Sequence, residues 1–254
     1  MTKSHIPRGA LVTGAASGIG QAITIALATR GVGVIAADLV HPAKTLELGA
    51  GLKGAVVGTL CDVTQAGALE RAIALTVERF GGIDIMINNA GIAGRDESFL
   101  TDTRQSLWAP TVDINLTSVI RGTQLAVEAM TAQGRGGVVI NIASLAAYHG
   151  EMPVYAATKA GVLRFSRSLH FLAPQRNIRV QAICPAFART PILKSMDDKT
   201  RALNEKAAGG ILEVSEVVSA ILKGIDATEG GLAIRVTKRR GAELMAPGER
   251  ASKI

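Results

Sequence analysis

The chain has 254 residues, 48% of them hydrophobic and 19% charged, so it can bury a large core and is too apolar for a disordered protein. Aromatic residues make up only 3%, which leaves the core to aliphatic side chains and Ala and removes the stacking platform that single-stranded nucleic-acid binding uses. The formal charge of +7 is spread along the chain, with Lys238-Arg239-Arg240 as its one dense basic run. A solvated surface with an anionic small-molecule ligand accounts for that pattern, and no nucleic-acid partner is expected.

Short apolar runs alternate with longer helical patterns, the signature of βαβ units and a parallel sheet. The first strand, 10–13, runs into Thr13-Gly14-Ala15-Ala16-Ser17-Gly18-Ile19-Gly20 and then a helix over 19–30. Glycines let the backbone turn sharply and approach a pyrophosphate with no Cβ in the way. The helix N-terminus behind them offers unpaired N–H groups and a positive dipole end. The spacing is Gly-x3-Gly-x-Gly, and by itself it also fits a plain structural turn.

The second strand, 32–37, ends at Asp38, eighteen residues beyond Gly20 and close to the expected place of a ribose-binding acid. A carboxylate there accepts from both ribose hydroxyls and repels a 2′-phosphate. No Arg or Lys follows it directly or occupies positions 15–17, so NAD is expected as cofactor in preference to NADP. A third strand, 55–61, leads into Asp62 and Val63. Asp62 either accepts from the adenine amino group or, with Thr64, caps the helix over 65–80.

The fourth strand, 83–88, ends in Asn88-Asn89-Ala90-Gly91, whose small residues suit backbone running beside a cofactor, or a structural turn. A long helix around 112–133 carries Asn115, and the strand 138–143 is followed by Ser144. The next helix, 154–172, opens with Tyr155-Ala-Ala-Thr-Lys159, which puts phenol and ammonium on one helical face. A phenol with an ordinary pKa near ~10 is a poor base, but a neighbouring Lys⁺ and a cationic nicotinamide favour the phenolate. Tyr155 then becomes able to take a hydroxyl proton.

A sixth strand, 179–184, leads to Pro185 and Ala186, and the stretch 186–210 breaks the rhythm with Thr190, Pro191 and Gly209-Gly210. Placed after a strand's C-terminal end, it reads as a substrate lid. A helix over 214–225 and a strand over 232–236 complete one domain spanning 1–254, a doubly wound α/β fold with seven parallel strands. Cys61 and Cys184 lie in apolar strands, which points to buried thiols in a reducing compartment. With no apolar signal core at the N-terminus and no run of about 20 apolar residues, a cytoplasmic protein off the membrane is expected. The four His and two Cys show no metal-ligand spacing.

Taken together, Thr13–Gly20, Asn88–Gly91, Asn115, Ser144, Tyr155 and Lys159 resemble the short-chain dehydrogenase/reductase (SDR) family over essentially the whole chain. The resemblance implies a single-domain Rossmann fold binding NAD through Gly14, Ser17, Gly18, Ile19, Gly20, Asp38, Asp62, Val63, Asn89, Ala90, Gly91, Pro185 and Thr190. It implies that Ser144 hydrogen-bonds the reacting oxygen and that Lys159, with Tyr155, also meets the nicotinamide ribose. Asn115 would hold a water in a proton relay, and a homo-oligomer, dimer or tetramer, is the family habit. Ile140-Asn-Ile-Ala-Ser, Pro153-Val-Tyr, Thr190-Pro-Ile-Leu-Lys-Ser and the ending Gly231-Leu-Ala-Ile-Arg-Val-Thr-Lys look like the 15-hydroxyprostaglandin dehydrogenase branch. That branch oxidises secondary alcohols on long apolar molecules with NAD. The interval from Ser144 to Tyr155 is shorter than the family's, and Glu151-Met152 departs from the branch. The expected activity is oxidation of a secondary alcohol on an apolar substrate, lined by Phe187, Ile192, Leu193 and Met196. The rivals are an NAD(P)H-dependent ketone or 3-oxoacyl reductase and a catalytically silent, cofactor-bound scaffold or nucleic-acid-binding protein. His149, Phe99 and Trp108 are weighed as cleft residues against ordinary exposure or packing.

Overall fold

Side-chain alternation along the strands decides the architecture of the computed structural model, which describes residues 8–94, 107–148, 152–191, 205 and 209–245. In chain order the elements are β1 (Gly9–Thr13), α1 (Gly18–Thr29), β2 (Gly33–Asp38), α2 (Ala43–Gly49), β3 (Val56–Leu60), α3 (Ala68–Phe80) and β4 (Ile85–Asn88). Then come α4 (Ala109–Val112), a π-helical turn (Asp113–Thr117), α5 (Ser118–Gln133), β5 (Gly137–Ile142) and a 3₁₀ turn (Leu145–Ala147). The remainder is α6 (Pro153–Ser168), α7 (Leu172–Arg176), β6 (Ile178–Pro185), α8 (Val214–Asp226), β7 (Ala233–Thr237) and β8 (Gly241–Met245).

Val34 and Ala36 of β2 pack with Ile23 and Leu27 of α1 on one face of the sheet, and Ile35 and Ala37 pack with Leu69 and Ile73 of α3 on the other. Ala10 and Val12 oppose Leu11 in the same way in β1. Strands apolar on both sides must be covered twice. The α1 face is completed by Val217 and Ile221 of α8, and the α3 face by Ala126 and Met130 of α5 and by Val162 and Leu163 of α6.

The strand order is β3-β2-β1-β4-β5-β6-β7-β8. The chain works outward from β1 to β3, returns to the middle at β4 and continues to the other edge. That reversal between β1 and β4 opens a crevice at the C-terminal ends of the strands, where doubly wound sheets bind ligands. The seven parallel strands expected from the sequence are present, and the count needs one correction. An eighth strand turns back antiparallel on β7, pairing Thr237 with Gly241 and Ala233 with Met245. It was hidden because the basic run before it reads as solvated surface, and because Glu243 interrupts its apolar pattern. Glu243 faces Arg235 across the pair and holds its buried guanidinium at 3.0 Å. Helix α2 was also missed, since only Thr45 and Gly49 of it are buried and no apolar stripe marks it.

A buried polar cluster links the sheet to the helices beside the crevice. Asn88 Nδ2 donates to Asn141 Oδ1 (2.8 Å) and to Thr123 Oγ1 (3.2 Å), while Asn141 Nδ2 donates to Ser166 Oγ at 3.0 Å. β4, β5, α5 and α6 are thereby tied to one another. No helix among the described residues is long and apolar enough to cross a membrane.

Gly122 on α5 leaves the room this cluster needs: a Cβ there would lie 2.3 Å from Asn88 Oδ1. Gly122→Ala is therefore expected to lower the unfolding free energy by about 1–3 kcal/mol through overpacking. In urea this appears as an earlier midpoint with an unchanged slope. An unshifted midpoint contradicts the packing.

Candidate active site

The glycine-rich turn is shaped first by the protein's own packing. Thr13 Oγ1 accepts from the N–H groups of Asn89 (3.0 Å) and Ala90 (3.1 Å), and Asn89 Nδ2 donates to the carbonyls of Thr13 (2.9 Å) and Gly14 (3.1 Å). A Cβ on Gly14 would lie 2.8 Å from Asn89 Nδ2, and one on Gly20 would lie 2.0 Å from the Gly14 carbonyl oxygen. The small size of these two glycines is demanded by β4 and by the turn itself. Asn89 likewise spends its amide inward. The signal that was overlooked is Thr13, whose hydroxyl is buried at the strand end.

Gly18 is different. It takes φ +55°, and the nearest atoms to a Cβ there belong to Thr190 and Pro191 at 3.4–3.5 Å. The region after β6 thus comes to stand over the α1 N-terminus, bringing Thr190 to Gly18 as the motifs required. Ser17 caps α1 with no side-chain hydrogen bond, and no acidic residue occupies the first turn. An anion can take that place. Ile19 packs on the core at the same turn.

Asp38 reaches the same corner from β2. Its Oδ2 accepts from Ala16 N–H at 2.8 Å and its Oδ1 from Val40 N–H at 3.2 Å. An ionised carboxylate keeps further acceptor capacity beyond two such bonds. Asp62 forms a local turn in place of a helix cap: its Oδ1 accepts from both the N–H and the hydroxyl of Thr64, and α3 begins only at Ala68. These bonds hold its carboxyl below the usual range. Val63 packs against the α3-face core.

Three strand ends along, the second group of candidates meets. Ser144 follows β5, and its Oγ accepts from Ala146 N–H at 3.1 Å, which starts the 3₁₀ turn. Pro153 opens α6, a favourable first helical position, so Tyr155 lies in the first turn and Lys159 one turn on. The Ser144 hydroxyl stands near enough to Tyr155 to pull its pKa down. Lys159 is only 4% exposed; its Nζ donates to the Ile142 carbonyl at 2.9 Å and stands 5.6 Å from the centre of the Tyr155 ring. Burial pulls the Lys159 ammonium down to about 8. Burial pushes the Tyr155 phenol up, against a smaller opposing pull from the Ser144 hydrogen bond. In the chain alone, desolvation therefore outweighs the pull of Ser144, and the neutral phenol is favoured.

Asn115 sits inside the π-helical turn, fully buried, and its amide is committed: Oδ1 accepts from Ile92 N–H (2.9 Å) and Nδ2 donates to the Ile92 carbonyl (2.8 Å). A Cβ on Gly91 would lie 3.2 Å from Asn115 Oδ1 and 3.5 Å from Lys159 Nζ, so Gly91, Asn115 and Lys159 form one corner. Pro185 ends β6 opposite Val236. Phe187 and Arg189 bracket Leu212 by main-chain hydrogen bonds, which bring together the ends of the stretch expected to be a lid. Most of that stretch, with Ile192, Leu193 and Met196, lies outside the described residues, as do His149, Glu151 and Phe99. Trp108 precedes α4 and is partly exposed.

The residues present fit a dinucleotide: an uncapped helix N-terminus, a strand-end carboxylate beside it, and a buried ammonium without an acidic partner among the described residues. The description short chain dehydrogenase matches residues 8–201. The chain belongs to that family. Among curated relatives of this chain, 15-hydroxyprostaglandin dehydrogenase of Rattus norvegicus, which carries NAD(+) in its name, is 35% identical over 229 residues, covering 84% of this chain and 78% of that one. The 3-oxoacyl-(acyl-carrier-protein) reductase of Thermotoga maritima is 34% identical over 218 residues, covering 84% and 87%. A crystal structure of a short-chain type dehydrogenase/reductase from Mycobacterium marinum superposes with a TM-score of 0.84 at 27% identity, covering 91% of this chain and 94% of its own.

A Lys whose folded pKa of about 8 lies below its ordinary 10.5 binds its proton less tightly folded than unfolded. The unfolded chain holds more protons in that window, so stability rises with pH across it. Relative to a Lys159→Met variant, the cofactor-free protein is expected to gain up to about 3 kcal/mol between pH 8 and 10.5. Denaturant unfolding at graded pH reads the difference, and a flat difference contradicts the burial of this charge.

Proposed function

We propose that the protein oxidises a secondary alcohol to a ketone with NAD, and the observation that carries this reading is the meeting of Ser144, Tyr155 and Lys159 at the end of β5. Bound in the crevice, the nicotinamide cofactor supplies the hydride acceptor. The chain's own residues supply the rest. Ser144 Oγ orients the reacting oxygen, and Tyr155 takes its proton as general base. Lys159, held by the Ile142 carbonyl among the described residues, favours the phenolate once the site is filled. Gly91 leaves space for this corner, and Asn115 fixes the backbone of Ile92 there.

Asp38 supports NAD over NADP. A carboxylate at the end of β2 would repel a 2′-phosphate, Leu39 follows it, and Ala15, Ala16 and Ser17 bring no cation. The rat relative's name agrees with this choice. Reduction of a ketone or a 3-oxoacyl group is the second reading, favoured by the similarity to the Thermotoga maritima reductase. The same residues would then run in reverse, with Tyr155 giving its proton.

NADH formation across a panel of secondary alcohols, with NAD(+) and NADP(+) side by side, tests the proposal. Tyr155→Phe is expected to cut kcat by at least about 100-fold. Asp38→Ala is expected to lower the NAD(+)-to-NADP(+) ratio of kcat/KM by about tenfold, the worth of roughly 1.4 kcal/mol of charge repulsion. Turnover that survives Tyr155→Phe, or a cofactor ratio unmoved by Asp38→Ala, overturns the corresponding assignment. Reduction with NADPH alone would install the second reading.

A further inference from the structure

Tyr148 closes the 3₁₀ turn that begins at Ser144. Its N–H donates to the Leu145 carbonyl at 3.0 Å, and the Ala147 N–H donates to the Ser144 carbonyl at 3.0 Å. Ser144 Oγ is bonded inside the same turn, to the Ala146 N–H. Where the Ser144 hydroxyl stands is therefore set by how this one turn is seated.

The Tyr148 side chain ties it down. The half-buried residue packs against the α1-face core and also against the cluster of Ala143, Cys184, Ala233 and Met245 on the α6 side. Its hydroxyl donates to Met245 Sδ at 3.7 Å, a weak acceptor. Met245 ends β8, and β6 and β7 lie between that strand and β5 in the sheet. The contact thus crosses two strands, from the turn of Ser144 to the far edge of the sheet. Met245 is itself fixed: it is 5% exposed and pairs with Ala233, and the buried Arg235 of β7 holds Glu243 of β8 at 3.0 Å. The Cys184 thiol, near the end of β6, completes the seat. Burial pushes it up to about 12, against pulls from the Tyr148 hydroxyl and the Ser144 backbone, so it neighbours both.

We propose that Tyr148 is a positioning residue for the reaction: anchored on Met245 of β8, it holds the 3₁₀ turn in place and so aims the Ser144 hydroxyl at the reacting oxygen. The inference rests on the dehydrogenase reading and gives the antiparallel eighth strand a task at the active site. A misplaced Ser144 hydroxyl weakens orientation at the reacting centre and leaves the cofactor corner, built from β1, β2 and α1, untouched. The loss therefore falls on kcat and spares KM for NAD(+).

Tyr148→Phe keeps the ring and removes the hydroxyl, while Met245→Leu keeps the volume and removes the sulfur. Each is expected to lower kcat for the best secondary alcohol by about fivefold, with KM for NAD(+) unchanged. The double variant should lose no more than Tyr148→Phe alone, since both remove one contact. Placed on Ser144→Ala, whose residual turnover is the baseline, Tyr148→Phe should cost nothing further. Hydrogen exchange at the Ala146 and Ala147 amides reads the turn without turnover, and both single variants should speed it by about fivefold. Additive losses in the double variant, or an undiminished loss on Ser144→Ala, overturns the proposal. So does a loss confined to KM for NAD(+), which marks a purely structural residue. Faster exchange at the turn, in a protein that turns over no alcohol and no ketone, would reject the dehydrogenase reading alone. Alcohol oxidation whose kcat is unmoved in both variants would reject the role of Tyr148 alone.

Discussion

A lysine ammonium buried against a single backbone carbonyl is the constraint around which this site is arranged. Lys159 is almost fully enclosed, and its Nζ has the Ile142 oxygen as its hydrogen-bond acceptor. Burial of a charge without an opposite charge is costly unless the group gives up its proton or finds a partner. The fold tolerates that cost where β5 ends and α6 begins, beside the two groups with which the ammonium can be useful, the Tyr155 phenol and the crevice. Removing Lys159 from a stability argument and placing it in a functional one follows from this, since a better-packed apolar residue would serve the core equally well.

The surroundings keep that corner in place. Asn88, Thr123, Asn141 and Ser166 join β4 and β5 to α5 and α6 through buried hydrogen bonds. Asn115 grips the Ile92 backbone from within a π-helical turn, an irregularity that recurs at functional positions. On the other side of the switch point, Thr13 and Asn89 lock the glycine turn to the end of β4. The two halves of the crevice are thus built on the same strand: Asn89 serves the turn, and Gly91, two residues later, borders Lys159.

Much of this was legible in the chain. Alternating apolar runs located the seven parallel strands, and the spacing of Gly14, Gly18, Gly20 and Asp38 placed them around one corner. Tyr155 and Lys159 share a helical face because their spacing is one turn. What escaped the sequence depends on partners distant along the chain. The exclusion of a side chain at Gly14 comes from Asn89, and at Gly20 from the Gly14 carbonyl. The ordering of β8 relies on Arg235 holding Glu243, a cross-strand pair that a local pattern does not reveal. For the phenol, sequence shows the neighbouring charge and conceals the burial that raises it in the cofactor-free chain.

The chain contains only two tyrosines, Tyr148 and Tyr155, so a Tyr148→Phe variant leaves Tyr155 as the sole source of phenolate absorbance. A near-ultraviolet pH titration of that variant, with and without saturating NAD(+), measures the coupling at the centre of the account. Without cofactor Tyr155 should titrate above its ordinary 10.0. With NAD(+) bound it should titrate clearly lower, because the nicotinamide charge favours the phenolate. A titration that NAD(+) leaves unmoved would contradict the assignment of Tyr155 as the base.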